Sequence, residues 1–306
     1  MSHSSIRIQT WLPTVVLSGM TGFAGCQATP IAPTIDHQGW EGSVVLRNDV
    51  AEAVVVPQIG RVLSLRLLDG DNVLWTDPAL YGQLASEQQP GWENFGGDRL
   101  WPWPQAEWAT DDQGVVLNPD TFDQTPLKMT IESDAVVLEG SAGVYGNRFE
   151  RRISLVEGEA SLRIENRITK PRPGTCAWQV TQIPIADRVV AKVDPGADLA
   201  NLQEHMFGKI DFTELMERPQ PDQLIVNIPE QRMTKTGVAT DHLAAEYPAY
   251  RISLIAEEPE ALPIRTDRGQ LWFSPNFMEL ELIGQPSTNG EDAVLVTRLV
   301  LEAIAR

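Results

Sequence analysis

The sequence predicts an all-β protein made of antiparallel sheet, and three observations predict it. Short apolar or alternating runs recur from Trp40 to the end of the chain, Gly, Pro, Asn and Asp clusters separate them, and only one stretch reads as helical. No alternation of strand with helix occurs, as a parallel sheet would require. With 306 residues, 42% of them hydrophobic, the chain can bury a sizeable core.

Residues 1–25 hold one basic residue, Arg7, and no acid; the apolar stretch Trp11 to Gly25 is followed by Cys26. This is a signal-peptide layout, too short and too interrupted by Gly, Ser and Thr for a stable membrane span. Phe23-Ala24-Gly25-Cys26 resembles the bacterial lipobox, in which the cysteine is lipidated and becomes the mature N-terminus. Phe23 stands where Leu is usual, and ordinary secretion with cleavage after Ala24 is the alternative. Both readings export the protein. With lipid on Cys26, membrane attachment is through an N-terminal anchor in the cell envelope. Gln27, rather than the Asp that commonly retains lipoproteins at the inner membrane, points to the outer membrane, facing the periplasm. Residues 26–39, with Pro30, Pro33 and no apolar periodicity, read as a tether to a folded domain over 40–306.

The formal net charge of −18 argues against nucleic acid and anionic headgroups as partners. Loss of Arg7 with the leader makes the chain one unit more acidic. A lipidated Cys26 leaves Cys176 without a disulfide partner, and with no His near it in sequence it reads as a small buried side chain.

Runs expected as strands begin with Ser43 to Leu46, Ala51 to Val56 and Arg61 to Leu68, the last closed by the turn cluster Asp69-Gly70-Asp71-Asn72. Next come Leu127 to Ile131, Ala135 to Leu138 and Phe149 to Val156; the turn Glu157-Gly158-Glu159 leads to Ser161 to Thr169. Tyr145-Gly146-Asn147-Arg148 reads as a hairpin turn, with Arg148 and Arg151 solvated. Ala177 to Ile183, Arg188 to Val193, Leu224 to Ile228, Tyr250 to Ile255, Gln270 to Phe273, Phe277 to Ile283 and Ala293 to Ala303 complete the set. Asn201 to Glu217 is the one stretch read as helical.

Between Asp77 and Gly114 the sequence predicts a long loop, and its tryptophan density argues for a functional one. The window Trp92 to Trp108 holds four of the nine tryptophans. Flat aromatic rings beside Asn94, Asp98, Arg99 and Gln105, on backbone stiffened by Pro102 and Pro104, suit a saccharide. The rings cover its apolar C–H face and the polar groups take its hydroxyls.

Two strands add to this chemistry. In Phe277 to Ile283, period two puts Glu279 and Glu281 on one face and Met278, Leu280 and Leu282 on the other. The two acids either lie on a solvated outer face or line a concave sheet surface. In Cys176 to Gln182, Trp178 and Gln182 share a face and Gln179 and Thr181 point the other way. His37 falls in the tether, while His205 and His242 have no ligand-like spacing, so no zinc site is expected. Asp111-Asp112 reads as surface acid rather than a calcium site. No Gly-x-Ser-x-Gly, P-loop or Gly-x-Gly-x-x-Gly motif occurs, and no cofactor is expected.

Several blocks together resemble the galactose mutarotase-like β-supersandwich superfamily and, within it, the uncharacterised DUF4380 proteins. They are Val55 to Trp75, the stretch Asn94-Phe95-Gly96-Gly97-Asp98-Arg99-Leu100-Trp101-Pro102 with Gln105 and Trp108, Ile164 to Gln182, Lys235-Thr236-Gly237, and Phe277 to Gly284. The resemblance covers most of the chain after Trp40, and Gly-Gly-Asp-Arg-Leu-Trp-Pro is its specific part. It implies a large antiparallel sandwich whose concave face binds carbohydrate. It also implies, for catalytic members, a late carboxylate that takes the anomeric hydroxyl proton while a histidine protonates the ring oxygen. Glu279 or Glu281 falls in about the right strand, but the usual Asn-His-x-Tyr-Phe segment is absent and Trp178-Gln179-Val180-Thr181 stands in its place.

The leading expectation is thus a cell-envelope lipoprotein that binds a saccharide. Its contacts would be Asn94, Asp98, Arg99, Trp101, Trp103, Gln105, Trp108, Trp178, Gln182 and Lys235 with Glu281. The second is a mutarotase-type sugar epimerase with Glu281 or Glu279 as base and His205, His242 or a tyrosine as acid. The third is a non-catalytic protein-interaction lipoprotein whose Trp-rich loop packs a partner. A pocket with Asp98 and Arg99 both pointing in favours a sugar, whereas a flat exposed aromatic patch favours a protein.

Overall fold

Strands that alternate apolar and polar residues bury one face, and strands apolar throughout bury both. Each kind has its place in the computed structural model, which describes residues 31–84, 93–108, 125–140, 148–195, 204–205, 212–230, 233–257 and 267–304. Two ten-stranded antiparallel sheets form its described part. The first runs in the order β1 (Ile31–His37), β2 (Trp40–Arg47), β3 (Ala51–Val56), β4 (Arg61–Leu67), β5 (Asp98–Trp103), β10 (Cys176–Ile183), β19 (Met278–Ile283), β18 (Gly269–Phe273), β15 (Thr234–Val238) and β12 (Glu204–His205). The second runs β13 (Met216–Gln220), β14 (Gln223–Asn227), β11 (Arg188–Lys192), β16 (His242–Glu246), β17 (Tyr250–Ala256), β20 (Ala293–Ala303), β9 (Ser161–Thr169), β8 (Arg148–Leu155), β7 (Val136–Glu139) and β6 (Lys128–Ile131).

The main core lies between the sheets. Val55, Leu65, Leu280 and Leu282 of the first sheet join Ile153, Ile164, Leu254 and Leu299 of the second in one buried cluster. A smaller cluster of Trp40, Val45, Val54, Leu63 and Phe95 covers the opposite face of β2 to β4. Strands β10 and β19 are buried at every position, as expected for central strands covered on both faces. By contrast, β8, β9 and β20 alternate buried with half-buried residues, one face inward and one toward solvent.

Each of the fourteen expected runs is a strand, and β3, β9 and β20 have the expected bounds. Three expectations are corrected. Residues 31–37 of the expected tether form β1, which pairs with β2 across the two-residue turn Gln38-Gly39. Both turn residues have positive φ, at 54° and 93°, and Asp36 Oδ1 accepts from Gly39 N at 2.8 Å. In the expected long loop, Asp98–Trp103 is strand β5, paired with β10 over six residues despite Pro102. The expected helix is absent where that stretch is described: Glu204–His205 and Met216 onward are strand, and Phe212–Leu215 is a single 3-10 turn. Pairing of Glu204–His205 with β15 and of Met216–Gln220 with β14 overrides the local helical pattern there.

Candidate functional site

The local sequence before β5 explains how its side chains reach two different places. Gly96 and Gly97 have φ of 88° and 74°, where a side chain is strained. A Cβ on Gly96 would stand 2.3 Å from the Trp75 carbonyl oxygen, and one on Gly97 2.3 Å from that of Val62. These glycines let the backbone slot between neighbours, with Gly97 N donating to Trp75 O at 2.8 Å and Gln182 N donating to Gly97 O at 2.9 Å. From there β5 pairs with β10, and period two sends Asp98 and Arg99 to opposite faces.

Asp98 turns inward. It pairs with Arg151 of the second sheet, and its Oδ2 accepts from Gln179 Nε2 at 2.7 Å and Thr181 Oγ1 at 2.6 Å. Arg151 Nε donates to Asn166 Oδ1 at 2.9 Å, Asn166 Nδ2 to Gln179 Oε1 at 2.8 Å, and Thr297 Oγ1 to the same oxygen. All six side chains are buried, and together they clamp the two sheets. Arg151, expected to be solvated, is wholly buried because it shares the inward face of β8 with Phe149, Ile153 and Leu155.

Arg99 turns the other way, onto a face that register assembles from six strands. One row across the sheet is Gln182, Glu279, Trp272, Lys235 and His205; the next is Arg99, Val180, Glu281, Gln270 and Gly237; the third is Trp101, Trp178 and Ile283. Arg99 Nη2 donates to Glu279 Oε1 at 3.0 Å, and Gln182 Nε2 donates to the same oxygen at 2.6 Å. Glu281 Oε2 accepts from Trp178 Nε1 at 2.8 Å and from Lys235 Nζ at 2.7 Å. Lys235 Nζ also stands 4.5 Å from the centroid of the Trp178 ring, and Arg99 Cζ 3.7 Å from that of Trp101. The expected solvated face for Glu279 and Glu281 is therefore not what forms, since they are 6% and 0% exposed.

Burial raises the Glu281 carboxyl, the Lys235 ammonium lowers it, and Glu279 raises it through its charge and through a hydrogen bond between the two carboxyl groups; desolvation prevails and the group is pushed up to about 7. One carboxylate of the pair is thus set to exchange protons near neutrality while its neighbour is held by a guanidinium and an amide. Oε1 of Glu281 and Oε1 of Gln182 are buried, with no hydrogen-bond donor among the described residues.

The other expected site residues are distributed as follows. Trp101, Trp108 and Trp178 pack on one another, with ring centroids 5.0 Å apart for the first two and 5.4 Å for Trp101 and Trp178, and are buried rather than presented as open platforms. Trp108 Nε1 donates to Pro102 O at 2.7 Å. Trp103 is half-buried at the end of β5, and Gln105 opens a 3-10 turn, Gln105–Glu107. Asn94 precedes the core residue Phe95, and its Oδ1 is buried with no hydrogen-bond donor among the described residues. Asp98 is set apart from the others by the sheet itself. His205 occupies the register position beside Lys235, roughly 14 Å from Glu279 across three strand spacings; its side chain lies outside the described residues. His242 belongs to the second sheet, where burial lowers its pKa. Cys26, Trp92, Asp111, Asp112 and Tyr145 to Asn147 lie outside the described residues. Gln270 and Trp272 were missed as site residues; the alternation of Gln270-Leu271-Trp272-Phe273 carried the signal, but only pairing with β19 gives it a partner.

Neither a family model nor a curated protein sequence matches the chain. Solved structures do match its fold. A candidate aldose 1-epimerase from Escherichia coli K12 is 13% identical with a TM-score of 0.55, the match covering 86% of this chain and 99% of that one. A candidate mutarotase from Salmonella typhimurium is 12% identical at 0.54, covering 86% and 90%. A galactose mutarotase related enzyme from Lactobacillus acidophilus is 8% identical at 0.54, covering 86% and 97%. The fold is that of the galactose mutarotase-like β-supersandwich, and identities this low speak for the fold alone.

Proposed function

We propose that this chain binds a saccharide on the face of the first sheet that carries Glu279, Glu281, Arg99, Lys235, Gln182 and Trp178. The observation that carries the proposal is the pair of buried acceptors, Glu281 Oε1 and Gln182 Oε1, which have no donor among the described residues. Buried polar atoms are paired in the great majority of cases, so leftover acceptors suit the hydroxyl donors of a ligand. Carboxylate, amide, guanidinium and indole together are also the groups that read a sugar. Each charge-assisted contact is worth roughly 1.5 to 3 kcal/mol, and two or three place the affinity in the micromolar to millimolar range. Titration of tryptophan fluorescence with aldoses and short oligosaccharides tests this. A saturable change that weakens about tenfold or more in Glu281→Gln supports the proposal. No response to any sugar from a folded protein sinks it.

A mutarotase-type epimerase is the second reading, favoured by the Glu281 carboxyl near 7. A base in that range both takes and returns a proton at neutral pH. In this reading Glu281 removes the anomeric hydroxyl proton, and Lys235 or His205 protonates the ring oxygen. Polarimetry of freshly dissolved α-D-galactose and α-D-glucose decides it. Acceleration over buffer that disappears in Glu281→Gln supports an enzyme, and no acceleration leaves binding alone.

The proposal extends to address and kinship: a lipoprotein anchored through Cys26, at the outer membrane facing the periplasm, related to the DUF4380 proteins. The Phe23 to Cys26 block, Gln27 and the Gly96 to Pro102 block support it. Metabolic labelling with palmitate should be lost in Cys26→Ser, and labelling that persists removes the anchor.

A further inference from the structure

Exposure is graded across the rows of the Glu281 face, and the grading gives the direction in which that face opens. In the row of Trp101 and Trp178 both rings are buried, and in the row of Arg99, Glu281 and Gln270 all three side chains are buried too. In the row of Gln182, Glu279, Trp272 and Lys235, by contrast, the side chains of Glu279 and Lys235 are 8% and 13% exposed. Beyond that row stands Phe277, two residues before Glu279. The pairing of β18 with β19 continues into its turn, where Ser274 N donates to Phe277 O at 2.9 Å, so Phe277 keeps the alternation and shares the face of Glu279, about 7 Å along the chain. Consistent with that face, Phe277 takes no part in the core between the sheets, to which its neighbour Met278 belongs. The buried tryptophans close one end of the face, and the Glu279 end is the one that meets solvent.

At that end Trp75 stacks on Phe277, with ring centroids 4.4 Å apart and planes 31° from parallel. Phe277 is buried and Trp75 half-buried, so the indole is the outer ring of the stack. Its backbone is fixed against the end of β10: Trp75 N donates to Gln182 O at 3.0 Å, and Gly97 N donates to Trp75 O at 2.8 Å. Gln182 in turn donates through Nε2 to Glu279 Oε1 at 2.6 Å. The indole is therefore held from two sides, by a ring beneath it and by the backbone of a residue that also holds the carboxylate. With about 7 Å between the Phe277 and Glu279 positions, one sugar residue can set its C–H face on the stack and a hydroxyl on the acid.

We infer that Trp75 is the stacking platform of the saccharide site: the ligand comes in over the row of Glu279 and Lys235 and lays the C–H face of a ring on the Trp75 indole. The inference rests on the saccharide-binding reading of the Glu281 face. It adds the direction of entry to that reading and puts the aromatic contact outside the Trp92 to Trp108 window, where the sequence alone places it.

Aldoses and short oligosaccharides, titrated into the full chain by calorimetry and by tryptophan fluorescence, test this inference in the wild type, Trp75→Phe and Trp75→Ala. The expected result is affinity weakened about tenfold or more in Trp75→Ala and kept within about threefold in Trp75→Phe, where an aromatic face remains. The fluorescence change at saturation should also be smaller in Trp75→Phe than in the wild type, although calorimetry still records binding. A merely structural role for Trp75 would not move that optical signal, and Trp75→Phe keeps the test open if Trp75→Ala fails to fold. Unaltered affinity in a folded Trp75→Ala overturns the platform, as does an unaltered fluorescence change in Trp75→Phe. Either result leaves the Glu281 face standing as a saccharide site, since its own test is the loss of binding in Glu281→Gln. Absence of calorimetric binding of every sugar by the wild type overturns both readings together.

Discussion

The two faces of the first sheet hold the same kinds of side chain to opposite effect. On the inner face, Asp98 has Arg151, Gln179 and Thr181 for partners, and Asn166 and Thr297 extend the hydrogen bonds across the sandwich. On the outer face, Arg99, Lys235 and Gln182 hold Glu279 and Glu281 almost as tightly, yet two acceptor oxygens have no donor among the described residues and one carboxyl is driven toward neutrality. A network with its bonds filled binds sheets together. One with two carboxylates on neighbouring positions of a single face keeps interactions unspent, which is the ground on which a ligand is proposed there.

The largest expected effect comes from breaking the inner network. Asp98→Ala leaves Arg151 charged and wholly buried and removes acceptors from Gln179 and Thr181. Breaking a buried pair in this way costs about 3 to 5 kcal/mol, read as a lower urea midpoint. A cost under about 1 kcal/mol would mean that the inner network does not hold the sheets together.

The outer face answers in its pH dependence. Glu281 moves from 4.5 in the unfolded chain to about 7 in the folded one, so the folded state binds the extra proton between those values. Its contribution is fully present below about 4.5 and is lost as pH rises through about 7. Relative to Glu281→Gln, the wild type should therefore lose about 3 kcal/mol of stability over that window. Parallel stability curves for the two proteins would show that Glu281 is not the displaced group.

Gly97→Ala strikes both faces at once, because Gly97 sets the path from which Asp98 and Arg99 diverge. Its positive φ and the 2.3 Å approach to the Val62 carbonyl oxygen require the backbone to shift. A cost of about 1 to 3 kcal/mol is expected, with a change in the Trp178 environment seen by near-UV circular dichroism. A variant as stable as wild type would show that the entry of β5 is not strained.

Much of this arrangement was legible in the sequence, and the boundary is physical. Period two placed Glu279 with Glu281 and Trp178 with Gln182, because side-chain direction in a strand is a local property. The role of Arg151 was hidden, since the charge on an otherwise apolar inward face finds its counter-charge in Asp98, 53 residues away. Strand β5 was hidden for a related reason: Pro102 and the glycines before it are loop signals locally, and pairing with β10 outweighs them. β15 and β12 had too little apolar pattern to stand out, yet they bring Lys235 and the position of His205 onto the face of the acids.

The smallest expected effect separates environment from the mere presence of an ion pair. Lys128 and Glu139 face each other across β6 and β7 with side chains 72% and 41% exposed, so water solvates both before and after the pair forms. The attraction is screened and two long side chains lose freedom in making it, which leaves at most about 0.5 kcal/mol. Lys128→Ala should therefore move the urea midpoint by little more than experimental error, and 1 M salt should erase what difference remains. If it cost as much as Asp98→Ala, burial would not be what distinguishes the inner network from a surface contact. The contrast between the two faces of the first sheet would then need another cause.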